Sequence, residues 1–170
     1  MDVYAGLGAN LGNPRQQLRR AVASLRRQPG IQVLGVSSLY MSRPQGGGFQ
    51  PDYLNAVAWL RTEWAARALL DLGQGLEAAA GRVLREKNAP RELDVDWLLY
   101  NGRVIREPGL ELPHPRLSGR AFVLEPLSEL APGLLHPRLG LTMRQLASRL
   151  ADRARLRRIQ GPNWAWGSEE

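Results

Sequence analysis

Between Arg91 and Gly102 the chain reads RELDVDWLLYNG, a run that alternates like a strand and carries two carboxylates. Side chains alternate faces along a strand, and residues i and i+2 stand about 6.6 Å apart. Leu93, Val95, Trp97 and Leu99 are therefore expected on one face, with Asp94, Asp96, Leu98 and Tyr100 on the other. Two carboxylates that close raise each other's pKa unless a cation lies between them. The pattern calls for a sheet to which the rest of the chain brings positive charge.

Other segments supply that sheet and the helices to cover it. Residues 3–8 read as a short strand. Asn13–Pro14 is a helix start, with Asn as N-cap and Pro at the first helical position. Leu18, Ala21, Val22 and Leu25 then fall at helical spacing, and Pro29–Gly30 closes the helix. IQVLGVSSLY, 31–40, reads as a second strand, and a third runs from about 54 to 62. A helix over about 65–80 turns Leu69, Leu72, Leu76 and Ala79 or Ala80 inward, weakened in its middle by Gly73 and Gly75. Its Gln74 and Glu77 share a face. Loops at 43–51 and 81–91 are rich in glycine, proline or charge. After the carboxylate strand, Asn101–Gly102 predicts a hairpin with RVI. Residues 112–120 are extended, 121–131 a short helix and 141–154 a clearer one. HPRL occurs at 114 and again at 136, a recurrence too small to define a repeat fold. The order β-α-β-β-α-β matches a ferredoxin-like split core. The expectation is an α+β chain, three layers α-β-α with extra C-terminal helices. It would be one domain over 1–160, followed by a loosely held tail, 161–170, whose two Trp are able to dock.

A chain of 170 residues, 44% hydrophobic, can bury a sizeable core. No apolar run is long enough to span a membrane, and MDVYAGLGAN lacks the features of a secretory leader. With no cysteine, disulfides and thiolate metal sites are excluded, as suits a reducing cytoplasm. The net charge is +7, and Lys87 is the one lysine among 23 basic residues. Arginine is the better fork for phosphate oxygens, so anionic ligands are favoured.

Several nucleotide sites are ruled out. The pattern G-x-x-x-x-G-K-[ST] is absent. GLGANLG has the wrong spacing for a dinucleotide fingerprint, and no acid between Asp2 and Asp52 is available to hold a ribose. That stretch is instead a turn, or a wall for another ligand. Two separated histidines make a poor zinc set. For Asp94 and Asp96 alone, a Mg²⁺ site and an ion pair with Arg91 or Arg120 stand level. Arg82, Arg85 and Arg91 just upstream, with Arg120 downstream, favour a phosphoryl-transfer centre. His114, set between Pro113 and Pro115, is placed to donate to phosphate, whereas His136 has no such company.

These segments together, GLGANLGN, SSLYMSRP, QPDYLNAV, QGLE, PRELDVDWLLYNG, PHPRL and GRAFVLEPL, resemble the 6-hydroxymethyl-7,8-dihydropterin pyrophosphokinase family over nearly the whole chain. The resemblance implies transfer of pyrophosphate from ATP to the pterin hydroxymethyl group, with release of AMP, in folate biosynthesis. It further implies two Mg²⁺ ions held by Asp94 and Asp96, and a pterin site of Ser42, Tyr53, Asn55 and Phe122. Gln74, Glu77, Arg91, His114 and Arg120 fall at ATP-contacting positions. Arg82 matches the arginine of a catalytic loop, so Arg82, Arg91, Asp94 and Asp96 are the catalytic set. A cytoplasmic monomer acting on two small molecules is expected, with no nucleic-acid or membrane partner. KNAPR replaces the W-G-P-R of some relatives, which leaves Arg85 and Lys87 without assigned roles. The residues nominate no general base. A ferredoxin-like nucleic-acid module would explain the charge, but it lacks the aromatic RNA-binding run and would set two acids on the phosphate-binding surface.

Overall fold

In the computed structural model the structure describes residues 1–46, 49–83 and 86–167. The first strand, β1 (Asp2–Ala9), leads into helix α1 (Pro14–Arg27). Asn13 caps this helix, its side chain accepting from the Gln16 amide at 3.2 Å. Leu18, Ala21, Val22 and Leu25 are its buried stripe, and Arg26 and Arg27 occupy the last turn, where cations suit the helix dipole.

The expected strand over 31–40 is two strands, β2 (Ile31–Val36) and β3 (Leu39–Ser42). Both pair antiparallel with β4 (Tyr53–Thr62). The break falls at Ser37–Ser38, where side chains take over the backbone's hydrogen bonds. The Val57 amide donates to Ser37 Oγ at 2.9 Å. The Ser38 amide and hydroxyl both donate to Glu129 Oε1, at 2.9 and 2.8 Å. Such local side-chain partners compete with the ladder and end a strand.

Helix α2 (Ala66–Ala79) crosses to β5 (Asp94–Tyr100), which pairs antiparallel with β1. The order in the main sheet is β5-β1-β4-β3, with β2 also on β4. A bulge interrupts β1–β5: Tyr4 faces Leu99 but Ala5 faces Trp97, leaving Leu98 unmatched. An extra residue reverses the alternation beyond it. Val95, Trp97 and Tyr100 consequently share the core formed with α1 and α2. Leu98 and Leu99 join a second core on the opposite face. The expected faces hold for Asp94 to Leu98 and are exchanged for Leu99 and Tyr100. The Tyr100 hydroxyl donates to Trp64 O at 2.9 Å.

The second core is roofed by α3 (Ala121–Leu130) and α4 (Met143–Ser148). The expected hairpin at Asn101–Gly102 does not form, although both residues adopt positive φ. The chain turns outward there, and β6 (Ile105–Glu107) pairs with β7 (Leu110–Leu112). Helix α4 is shorter than the span 141–154. A capping box of Thr142 and Gln145 starts it, a 3-10 turn follows over Ala151–Arg155, and β8 (Arg157–Gln160) then pairs with β3. The tail is not loosely held through Ala165. Trp164 is fully buried, its indole donates to Ser37 O at 2.8 Å, and Arg19 Nε donates to Trp164 O at 2.6 Å.

The two glycines of α2 have different reasons to be there. A Cβ at Gly73 would lie 2.9 Å from Trp97 Nε1 and 3.3 Å from Val95 Cγ1, whereas one at Gly75 would meet nothing within 4 Å. Gly73 lets the helix settle onto β5; Gly75 carries only the entropic cost of glycine in a helix. Gly75→Ala should therefore stabilise by about 0.5–1 kcal/mol, while Gly73→Ala should destabilise by about 1–3 kcal/mol through overpacking. Urea unfolding of both variants checks this, and equal stabilisation by both would contradict the close approach of Trp97.

Candidate active site

The register between β1 and β5 sets Gly8 opposite Asp94 and Gly6 opposite Asp96. Glycine leaves no side chain to cover a carboxylate, so these residues form the floor of an open cleft of about 140 Å³. Of GLGAN, Gly6, Leu7 and Gly8 line this cleft. On the other side of β1, Gly8 faces Asn55 of β4. A Cβ there would come within 3.4 Å of Asn55 Oδ1.

The strands and α3 bring the polar and aromatic groups together. Ser42, Tyr53, Asn55, Arg91, Asp94, Asp96, Arg120 and Phe122 all line the cleft. Asn55 is buried, and its Nδ2 donates to Ser42 Oγ at 2.8 Å. The Tyr53 hydroxyl donates to Ala89 O at 3.2 Å, joining β4 to the loop before β5. Arg120 precedes α3, with its guanidinium 5.4 Å from the Phe122 ring centroid. That cation–π contact ties the cleft's aromatic wall to one of its charges.

Of the remaining nominated residues, Arg82 and His114 approach the carboxylates, and Glu77 seats Arg82. Arg82 Nη1 lies 3.0 Å from Asp94 Oδ1 and also pairs with Glu77. Glu77 Oε1 accepts the Val95 amide at 2.8 Å, which satisfies an N–H on the outer edge of β5. His114 Nε2 lies 3.7 Å from Asp96 Oδ1. Its Nδ1 accepts the Arg116 amide at 3.1 Å, which leaves the proton on Nε2, facing the site. His136 makes the same local bond to Arg138, so the repeated HPRL is a recurring turn. Gln74 is exposed on α2 and does not line the cleft.

Residues 4–132 match the sequence model of a family described as 7,8-dihydro-6-hydroxymethylpterin-pyrophosphokinase (HPPK). The chain belongs to this family. It is an enzyme, a pyrophosphokinase. A 2-amino-4-hydroxy-6-hydroxymethyldihydropteridine pyrophosphokinase of Pseudomonas aeruginosa is 43% identical over 135 residues, 79% of this chain and 83% of that protein. Its namesake from Methylorubrum extorquens is 38% identical over 157 residues, 92% of this chain and 98% of that one. The crystal structure of Plasmodium falciparum HPPK-DHPS, wild type with pteroate, superposes with a TM-score of 0.69 at 12% identity. That match covers 87% of this chain and 42% of the other. The chain spans under half of that fused protein, and the likeness is one of fold.

For a pyrophosphokinase, the charge of the cleft is informative. Arg43, Lys87, Arg91, Arg116 and Arg120 line it against only Asp94 and Asp96, so it attracts anions. Four polar residues that the sequence reading passed over complete it. Asn10 is buried; its Nδ2 donates to Gln50 Oε1 and Pro51 O, each at 2.9 Å. Asn10 Oδ1 accepts the Arg91 amide at 2.8 Å, and Gln50 Nε2 donates to Asn88 O at 3.0 Å. Asn10, Gln50 and Asn88 thus clasp the two loops, and Arg116 adds a cation. The signal available in the sequence was an asparagine directly after a strand, a weak one. Arg85 lies outside the described residues.

The paired acids are not equivalent. Asp94 is neutralised at contact distance by Arg82 and Arg91. Among the described residues, Asp96 has only Arg120 at 3.8 Å and His114 at 3.7 Å. Burial and the neighbouring Asp94 push the Asp96 carboxyl up to about 6. Burial, Arg120 and Arg116 pull His114 down to about 4. Removing Asp96 should therefore relieve the pair, whereas loss of Asp94 would strand two guanidinium groups.

Linkage gives these shifts opposite signs. Asp96 binds its proton more tightly when folded, so its contribution to stability grows as the pH falls from about 6 towards 4. His114 resists protonation when folded, so stability is lost over the descent from about 6.5 to 4. Asp96→Asn should raise stability in EDTA at about pH 7 by on the order of 1 kcal/mol, discounted because the side chain still meets solvent. It should also make the protein more acid-sensitive than wild type by exposing the histidine's effect. Thermal unfolding at about pH 7 and pH 4.5 measures both; a variant less stable at pH 7 and unaltered in acid response would refute the assignment.

Proposed function

We propose that this cleft transfers the terminal pyrophosphoryl group of ATP to the hydroxymethyl oxygen of 6-hydroxymethyl-7,8-dihydropterin, in folate synthesis. The observation that carries the reading is the pair Asp94 and Asp96 facing Gly6 and Gly8, in a cleft that also holds Tyr53, Asn55 and Phe122. The strand order β5-β1-β4-β3, antiparallel throughout, supports the ferredoxin-like core that this family resemblance implies. A second face covered by α3 and α4 supports the three-layer arrangement.

The donor set fits Mg²⁺. Two carboxylates on one face of a strand, across from two glycines, offer hard oxygen ligands with open space in front of them. Among the described residues no group of three or more acids and histidines gathers as a cage; Mg²⁺ commonly fills its octahedron with water and substrate phosphates. Asp94 and Asp96 would hold the two ions, which supply charge neutralisation at the phosphate oxygens.

The protein's own groups do the rest. The pterin hydroxyl oxygen forms a bond to the β-phosphorus, and the bond from that phosphorus to the α,β-bridging oxygen breaks. AMP leaves with the bond's electron pair, and the hydroxyl proton passes to solvent. Arg91 and Arg120 face the cleft and would stabilise charge developing on the transferring group. Neutral His114 would add an Nε2–H donor. Arg82 would act from the loop root, with Gln74 and Glu77 at the nucleotide. Tyr53 and Phe122 would stack the flat heterocycle, while Asn55 and Ser42 read its polar edge. We read the chain as one domain whose core takes in Trp164 of the expected tail, acting as a cytoplasmic monomer on two small molecules. Among the described residues no helix is long and apolar enough to cross a membrane.

Incubation with ATP, Mg²⁺ and the reduced pterin should yield AMP and pterin pyrophosphate in equal amounts. Asp94→Ala or Asp96→Ala should lower turnover at least about 10²-fold, as loss of a transition-state charge stabiliser does. Phe122→Ala should weaken pterin binding about 5- to 150-fold by loss of stacking, with ATP affinity changed much less. Calorimetry with each ligand separates the roles. Equal loss of both ligands would make Phe122 a structural support, and no AMP from wild type would overturn the activity.

A further inference from the structure

The loop between α2 and β5 is held at both ends by one oxygen. Gly81 ends α2 with φ of +87°, and the Arg82 amide donates to Glu77 O at 3.1 Å. The Arg82 guanidinium then reaches Glu77 and, at 3.0 Å, Asp94 Oδ1. Arg91, at the other end, donates to that same Asp94 oxygen at 2.7 Å. The two ends differ in what else fixes them. The Arg91 amide donates to Asn10 Oδ1 at 2.8 Å, and its carbonyl accepts the Asn10 and Leu11 amides at 3.0 and 3.2 Å. Among the described residues Arg82 has no comparable bond to Asn10 or Leu11; its backbone is held only from α2, by Glu77 O.

An oxygen that already accepts from two guanidinium groups is crowded for a divalent cation. A cation bound there would stand close to both and repel them. The end free to yield is Arg82, because the backbone of Arg91 stays fixed by Asn10. We infer that Arg82 is a placeholder cation: in the ligand-free protein it neutralises Asp94 from its seat on Glu77, and loading of Asp94 with a divalent cation releases it. This rests on the reading of Asp94 as a metal ligand. Glu77 is then the positioning residue of the device. Its carboxylate holds Val95 of the metal-bearing strand and Arg82 together, so the parked arginine is kept against the acid. Metal loading and freeing of the loop root become one event, with each favouring the other by the same factor. The protein would hold its acidic pair ready without ordering an ion first.

The test uses Mn²⁺ alone, with the full chain and no nucleotide. Electron paramagnetic resonance should show Arg82→Met binding Mn²⁺ roughly 5- to 20-fold more tightly than wild type, the lower part of the usual coupling range. Arg116→Met removes an equal charge from the cleft lining without touching Asp94, and should tighten binding by less than about 3-fold. Hydrogen exchange of wild-type residues 80–83 should quicken with saturating Mn²⁺, to the rate of metal-free Asp94→Asn. Equal tightening by both arginine variants, or exchange that ignores Mn²⁺, would overturn the placeholder and leave the metal site standing. Absence of Mn²⁺ binding in every variant would overturn the metal ligand itself, and the placeholder with it.

Discussion

The pairing of β1 with β5 is the constraint on which the site depends. It sets Gly6 and Gly8 across from Asp96 and Asp94, and it needs both strands to be central enough to be flanked. β4 lies on the other side of β1, while the outer edge of β5 is closed by other means. Glu77 takes the Val95 amide, and the His114 amide donates to Leu98 O at 2.9 Å. Backbone groups at a buried edge must find partners. Here the partners come from two segments that also face the carboxylates, so satisfying the strand and furnishing the site are one arrangement.

The bulge at Leu98 completes this arrangement. It lets the strand present acids to the cleft at its start and two leucines to the α3 core beyond, while Tyr100 turns to the α1–α2 side. A regular strand would have carried Tyr100 under α3. Bulges re-aim side chains near functional sites, and this one separates the polar half of β5 from its packing half. Glu129 does similar work on the far side of the sheet. It binds Ser38 and Tyr40, and the Arg158 guanidinium donates to Ser38 Oγ at 2.7 Å. Burial and Glu129 push the Tyr40 hydroxyl well above the ordinary tyrosine range, as befits a donor to a carboxylate. α3 is thereby pinned to β3, and its other end carries Arg120 and Phe122 to the cleft.

Charge in the ligand-free site is balanced unevenly by design of position. Asp94 is compensated by the loop arginines and Asp96 is left with distant partners. One acid is therefore paired at contact distance, while the other carries the cost of the pair. Half-buried like charges this close disfavour one another's ionised form unless a cation stands nearby.

Much of this was legible in the chain itself. The Asn13–Pro14 start, the stripe from Leu18 to Leu25 and the acids on one face of a strand follow from local rules, because periodicity and capping depend on neighbours a few residues away; the aromatic pair came from the family resemblance. The split at Ser37–Ser38 was not legible, since it depends on Glu129, distant in sequence. Nor was β8, a short edge strand of charged residues that gains its partner only when β3 is already in place. Trp164 looked like tail and proved to be core, because the surface it fills is built by α1 and by the break between β2 and β3. The clasp of Asn10, Gln50 and Asn88 belongs to the same class: each is an ordinary loop amide until folding brings three loops together. The sequence by itself determined which residues could bear the chemistry and on which elements they ride. Only the tertiary structure decided that Arg82 leans on Asp94 from a seat on Glu77 while Gln74 stands apart, because ion pairs and shared hydrogen bonds depend on distances across the chain, which no local pattern encodes.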